Sequence, residues 1–287
     1  MKKFELTAGN KLNWFGHELY RIRALVAFET TNGEKIDIGD LGGYVESERN
    51  LSHDEKAWIF GDAKVYGNAK IYGDAEVFGN AKIFGNAKVG GDAEVWGDAE
   101  VWGDAKVWGD AKIYGNAKIL GNAEICVNAK VWGNAEICVN AKIYGNAKIY
   151  GDAKIFGNAE AWGNAEIYGD AEVYGDAAIF STEHILSITP IGASVNSLTF
   201  FRTKTREIGV SFEWDFYALN VFEQLIANWA DKFKVTARMA IEIAKVHIDL
   251  ASTTPFGDCR NCGKEFNSEF VSEYEITHCP WCGAEIE

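Results

Sequence analysis

Six cysteines are the residues of this chain whose type and spacing point most directly to chemistry, and four of them form one pattern. Cys259 and Cys262, then Cys279 and Cys282, read C-x2-C-x16-C-x2-C, each pair followed by Gly. The glycines let the chain turn so that backbone amides approach the sulfurs. Four thiolates at this spacing are the donor set of one tetrahedral Zn2+ with no open coordination position, so the spacing predicts a structural metal and not a catalytic one. A segment as short as residues 255–287 buries too little apolar surface to fold without such a staple. His278, beside Cys279, reads as a loop residue.

The remaining two thiols, Cys126 and Cys138, sit inside a repeat. From Gly61 to Phe180 the unit G-[D/N]-A-[K/E]-[V/I]-aromatic recurs every six residues without insertion, twenty units in all, and "KAWIF" (56–60) is a weaker unit in the same phase. A period of six does not suit a helix, and Gly at every sixth position would break one. Short strands separated by turns fit better: in Ala69-Lys70-Ile71 the Ala and Ile point one way and Lys the other, while aromatic-Gly-Asn/Asp makes the corner. Three such sides close a coil of eighteen residues, which stacks residues eighteen apart. The face of positions 64 to 172 then reads K, K, E, K, E, K, E and the face of 70 to 160 reads K, K, K, E, K, E. Opposite charges one strand apart favour that stacking; the third face, 76 to 166, reads E, E, K, K, K, E and adds no support.

Inward Ala and Val/Ile leave the aromatic residue of each unit at the outer edge, where it forms ladders. Trp96, Tyr114, Trp132, Tyr150 and Tyr168 share one, and Trp102 and Trp108 head the other two. Stacked rings of this kind either cover the turn backbone, or dock a second chain, or dock sugars. Asp98, Asp104, Asp110, Asn116 and Asn122 invite a calcium reading, but turn preference accounts for them and the free exchange of Asn for Asp opposes a charge-dependent site. In two units the aromatic becomes Cys and the Gly becomes Val: Cys126-Val127 and Cys138-Val139. They are twelve residues apart and fall on different corners, beyond disulfide reach. With Leu120 they form the one non-uniform patch on the coil and a candidate contact site.

The twenty units contain no His, Ser, Thr or Arg; the five histidines, His17, His53, His184, His247 and His278, all lie outside them. His53 and His184 flank the two ends of the coil, with no partner acid or nucleophile in view. No catalytic residue is assigned. The chain divides into a β cap (1–55), the coil (56–180), an α+β module of a hairpin and two amphipathic helices (181–254) and the zinc ribbon (255–287). A net charge of −14 over 287 residues repels phosphate backbones and anionic lipid, and no run of about eighteen uncharged apolar residues is present. Nucleic acid and membrane are therefore poor partners, and a cytoplasmic protein is expected.

The spacing from an aliphatic residue to a small one four positions on, as in Val65 to Ala69 and Ile71 to Ala75, resembles the hexapeptide repeat of left-handed β-helices, which implies the handedness of the coil. "LYRIRALVAF", then "GDLGGYVESERNLS", then the coil resembles the YdcK-like β-helix proteins of bacteria, phages and prophages, over residues 19–180. That resemblance implies a mainly β fold, a left-handed parallel β-helix with three faces between an N-terminal β cap and C-terminal modules. Members of this group carry the label of transferase or polymer-forming protein. Left-handed β-helix enzymes, acyltransferases among them, work with histidines at or between coils, and this coil has none. The expectation is a non-enzymatic scaffold, related to phage or prophage, that recognises a protein partner, itself or a host protein, through its terminal modules. Homo-oligomerisation fits the same surface. The alternatives are an acyltransferase-like enzyme and a carbohydrate- or small-molecule-binding protein using the aromatic ladders.

Overall fold

The computed structural model describes residues 2–188, 197–213, 215–251, 256–258 and 265–267. The six-residue period becomes a succession of two-residue strands from Lys64–Val65 to Ala178–Ile179, one beginning at every sixth residue. Each pairs in parallel with the strand eighteen residues away, as Lys82 does with Lys64 on one side and Glu100 on the other. Three sides therefore complete a turn, and the turns stack into three parallel sheets. The result is a β-solenoid. The Ala and the Val or Ile that flank the Lys or Glu of each unit are buried in its interior, Ala69 at 0% and Ile71 at 1% exposure, while most Lys and Glu rungs stay at the surface. Backbone bonds run from turn to turn; Asn68 donates its N–H to Gly85 O at 2.8 Å and Asn86 to Gly103 O at 2.7 Å.

Glycine at the corner answers two separate demands. The corner φ is positive, 82° at Gly133, a region that side chains with a Cβ enter at a cost. A Cβ built on Gly133 would also lie 2.6 Å from the carbonyl oxygen of Gly151 one turn on. At this corner the stacking leaves no room for it.

The N-terminal cap is a hairpin of β1 (Phe4–Trp14) and β2 (His17–Ala24), a short pair β3 (Phe28–Glu29) and β4 (Lys35–Ile36), and β5 (Leu41–Val45). The β1–β2–β5 unit extends one coil sheet, with β5 running parallel to Lys64–Val65. Leu51 bridges to Ile71 on the second side and Trp58–Ile59 pairs with Glu76–Val77 on the third. Residues 41–59 are thus themselves the first turn, and the solenoid has about eight turns where the repeat alone predicts about seven. The offset there is twenty residues (Tyr44 to Lys64, Leu51 to Ile71), not eighteen, which hides the turn from a periodicity search. At about 4.8 Å per turn the stack is roughly 35 Å long.

At the other end, strands Ile185–Ile188, Leu198–Arg202, Ile208–Phe212 and Asp215–Ala218 form an antiparallel sheet that seals the last turn. Glu172 donates its N–H to Thr199 Oγ1 at 3.0 Å, Lys204 donates to Asp176 O at 2.9 Å, and Ala177 bridges to Thr203. Helix α1 (Leu219–Leu225) and helix α2 (Asp231–His247) follow, α2 burying Ala237, Ala240, Ile241 and Ala244. Cap, solenoid and this module make one compact unit, Met1–Ile248; Asp249–Glu287 is a second, whose described strands are the antiparallel pair Phe256–Asp258 and Glu265–Asn267. No helix among the described residues is long and apolar enough to cross a membrane.

Candidate functional site

The aromatic ladders form, and each begins earlier than its tryptophan. Phe60, Phe78 and Trp96 stack in succession, Phe78 on Trp96 at 3.6 Å between ring centres, and the row continues through Tyr114, Trp132 and Tyr150. Tyr66 and Phe84 precede Trp102, at 5.1 and 5.6 Å spacing. In the third ladder Tyr72 leans over Gly90 before Trp108; a Cβ on Gly90 would stand 2.2 Å from the Tyr72 ring, so the one unit spelled VGG makes room for that ring. Trp96 also donates its Nε1–H to Glu94 at 2.8 Å. The faces that a sugar would need are largely spent on neighbouring rings, and the gain of stacked rings goes to the solenoid itself.

The ICVNAK units interrupt two different ladders. Leu120 and Cys138 follow Trp102 in one and resume at Phe156 and Tyr174; Cys126 follows Trp108 in the other and resumes at Tyr144. Both thiols are free and 5% exposed. Burial, with Glu124 beside Cys126 and Glu136 beside Cys138, pushes each up to about 12, so neither is a nucleophile at neutral pH. The corners do not relax around the valines: Val127 sits at φ 62° and Val139 at φ 67°, the conformation of the glycines they replace. Leu120, Cys126, Val127, Cys138 and Val139 are therefore spread over two corners, Val139 being the exposed member at 48%.

Charges and amides are likewise paired between turns. Lys82–Glu100 at 2.7 Å, Lys118–Glu136 and Lys154–Glu172 at 3.1 Å occupy one face, and Lys106–Glu124 at 2.7 Å the second. The third face pairs as well, at Glu94–Lys112 (2.5 Å) and Lys148–Glu166 (2.9 Å), with Lys130 over the Trp132 ring. At the corners Asn68 donates to Asn86 at 3.1 Å and Asn86 to Asp104 at 2.8 Å; Asn122, Asn140 and Asn158 continue the same ladder to Asp176. Each run points toward the C-terminus and stops at an Asp, because a carboxylate has no proton to pass on. Reading these residues singly as turn formers missed the ladder. The signal was their eighteen-residue register.

One carboxylate is out of balance. Glu76 is 1% exposed under the loop joining β3 and β4; its Oε1 accepts from the Asn32 N–H at 3.2 Å, and its Oε2 is buried without a partner. Burial raises its pKa, the neighbouring Glu94 adding to the effect. Glu94 goes the other way: burial opposes ionisation, but hydrogen bonds from Lys112 and Trp96 outweigh it. A raised carboxyl pKa contributes stability below its unfolded value that is lost as pH rises through its folded value. Glu76→Gln should therefore raise stability at neutral pH by about 1 kcal/mol and flatten the slope above pH 4.5, read from urea midpoints across pH.

The four histidines among the described residues sit in the caps. His17 Nδ1 lies 3.0 Å from Glu46 Oε1, His53 stacks on Phe4 at 4.2 Å and accepts the Lys3 N–H, and His184 is 1% exposed and accepts the Phe180 N–H. His247 Nε2 is 3.0 Å from Ile185 O. The cap does create a feature invisible in the linear repeat: the hairpin tip carries Trp14 over the first coil face, enclosing a cleft of about 470 Å³ with Lys64, Lys82 and Glu100 on its floor. Cys259, Cys262, Cys279 and Cys282 lie outside the described residues. Comparison with protein-family models and with curated proteins returns no match to this chain.

Proposed function

We propose that the protein is a non-enzymatic, rigid scaffold in which the solenoid is a spacer and the C-terminal modules recognise a protein partner, in the phage or prophage setting that the sequence resemblance implies. The observation that carries the reading is where unsatisfied surface remains. Rings, charges and amides of the solenoid are largely used in turn-to-turn ladders. Helix α2, by contrast, buries one face and leaves Val235, Met239, Ile243 and Val246 exposed on the other, at 56, 62, 50 and 90%. Spacings of four, four and three residues put them in one row. Exposed apolar rows of that kind mark interfaces.

The zinc ribbon is the second module of this reading. Cys259 and Cys262 fall in sequence between the paired strands Phe256–Asp258 and Glu265–Asn267. One zinc per chain is the expected content, measured by elemental analysis after gel filtration, and Cys259→Ser with Cys282→Ser should abolish it while the melting temperature of the solenoid is unchanged. The test of partner recognition is co-purification from the protein's own host. Met239→Lys with Ile243→Lys should release a bound protein that Trp102→Ala with Trp132→Ala retains. Loss with the tryptophan variants instead would move recognition to the ladders.

A further inference from the structure

Among the described residues of the solenoid, one lysine is buried without a carboxylate to answer it, and it lies beneath the tip of the N-terminal hairpin. Lys64 and Lys82 are direct neighbours across a parallel pair, an arrangement that cross-strand energetics disfavour. Lys82 is answered by Glu100 at 2.7 Å. Lys64 is left over: it is 8% exposed, its ammonium donates to Asp62 O at 2.7 Å, and no carboxylate among the described residues lies within ion-pair distance of it. Burial lowers its pKa, with Lys82 acting in the same direction against Asp62. In a chain of net charge −14, a buried cation without a counter-charge is where an anion gains most.

The surroundings narrow the anion's chemistry. The Trp14 indole roofs the cleft, its ring centre 4.8 Å from Lys64 Nζ and 5.7 Å from Lys82 Nζ. Along the rim the corner ladder is broken. Asp98 accepts from Asn80 at 2.9 Å but cannot donate to Asn116, whose own amide goes on to Asn134 at 2.9 Å. No amide of the ladder bridges Asp98 and Asn116, so the Asp98 carboxylate and the Asn116 carbonyl keep acceptor capacity at the rim that hydroxyl donors can fill. A volume of about 470 Å³ suits a ligand of sugar size.

We propose that this cleft binds an acidic monosaccharide unit, its carboxylate on Lys64, its hydroxyls donating to Asp98 and Asn116, and its ring against Trp14. The probes are D-glucuronate, D-glucose, acetate and inorganic phosphate, titrated calorimetrically into the full chain at neutral pH. Glucuronate should bind one to one, with glucose, acetate and phosphate each weaker by about tenfold or more. Lys64→Met, which removes a buried charge at equal length, and Trp14→Leu should each weaken glucuronate about tenfold, and Lys64→Arg should largely restore it. Asn116→Ala, at an exposed rim position, should weaken it severalfold. Absence of saturable glucuronate binding up to about 50 mM, or wild-type affinity in Lys64→Met, overturns the proposal. Equal binding of acetate or phosphate overturns the sugar assignment and leaves a simple anion site.

Discussion

Gly133→Val lowers the stability of the solenoid by about 3 kcal/mol or more, and Val127→Gly with Val139→Gly raises it by about 1 kcal/mol per site, both read from denaturant midpoints. The two results follow from one corner geometry. At Gly133 a Cβ meets both a φ of 82° and a backbone oxygen at 2.6 Å, which cannot yield as a flexible side chain does. The valines already hold positive φ, so their strain of about 1–3 kcal/mol is present in the native state. Glycine removes that strain but adds chain entropy to the unfolded state and deletes some packing, which is why the net gain is smaller. Val139, 48% exposed, has less packing to lose than the half-buried Val127 and should show the larger gain. Unchanged stability in both valine variants would mean that their side chains pack well enough to offset the corner.

Truncation after residue 180 drives the protein into large assemblies that the full chain does not form, measured by light scattering during gel filtration. The last turn ends in strands Glu166–Ile167, Glu172–Val173 and Ala178–Ile179, and the α+β module supplies partners for its groups: Thr199 for Glu172, Thr203 for Ala177, and Ser197 Oγ donating to Asp170 O at 2.7 Å. Phe201, fully buried, joins the solenoid's own core. Without the module a flat β edge and an apolar plug site face solvent together, the condition for edge-to-edge growth. Truncation after residue 248 respects the boundary of the compact unit and should leave the elution volume that of a well-behaved single species. Clean behaviour of the shorter product would show that the module is dispensable as a cap.

The solenoid was legible because local and global demands coincide in it. Ala and Val/Ile alternate with Lys or Glu at strand period, and Gly-Asn/Asp turns the chain at every sixth residue. What escaped is what breaks or crosses the period. The first turn, at residues 41–59, is offset by twenty; there Gly42 and Gly43 are needed because Cβ atoms would stand 2.6 Å from Ile59 O and 2.4 Å from Ile59 Cγ2. The third charge face looked unsupportive because Glu76 is answered by the Asn32 amide and Lys130 by an indole, partners that no charge count includes. The Trp14 cleft is a contact between a hairpin tip and a coil face far away in sequence. The second apolar row of α2 was present in the sequence, but a single amphipathic face accounts for a helix on a sheet, and only burial shows which apolar residues that face leaves over.

The claim that the solenoid is a spacer between recognising ends is tested most directly by removing one whole turn, residues 128–145, and comparing native mass spectra of the two proteins purified from their own host. Eighteen residues is the full register of the stack, so the shortened chain keeps its strand pairing and the relative placement of its caps, about 4.8 Å closer together. The shortened protein should carry the same zinc content and the same bound protein as the full chain. A shortened protein that folds, keeps its zinc and loses the bound protein would contradict it, and would place recognition on the turn that was removed.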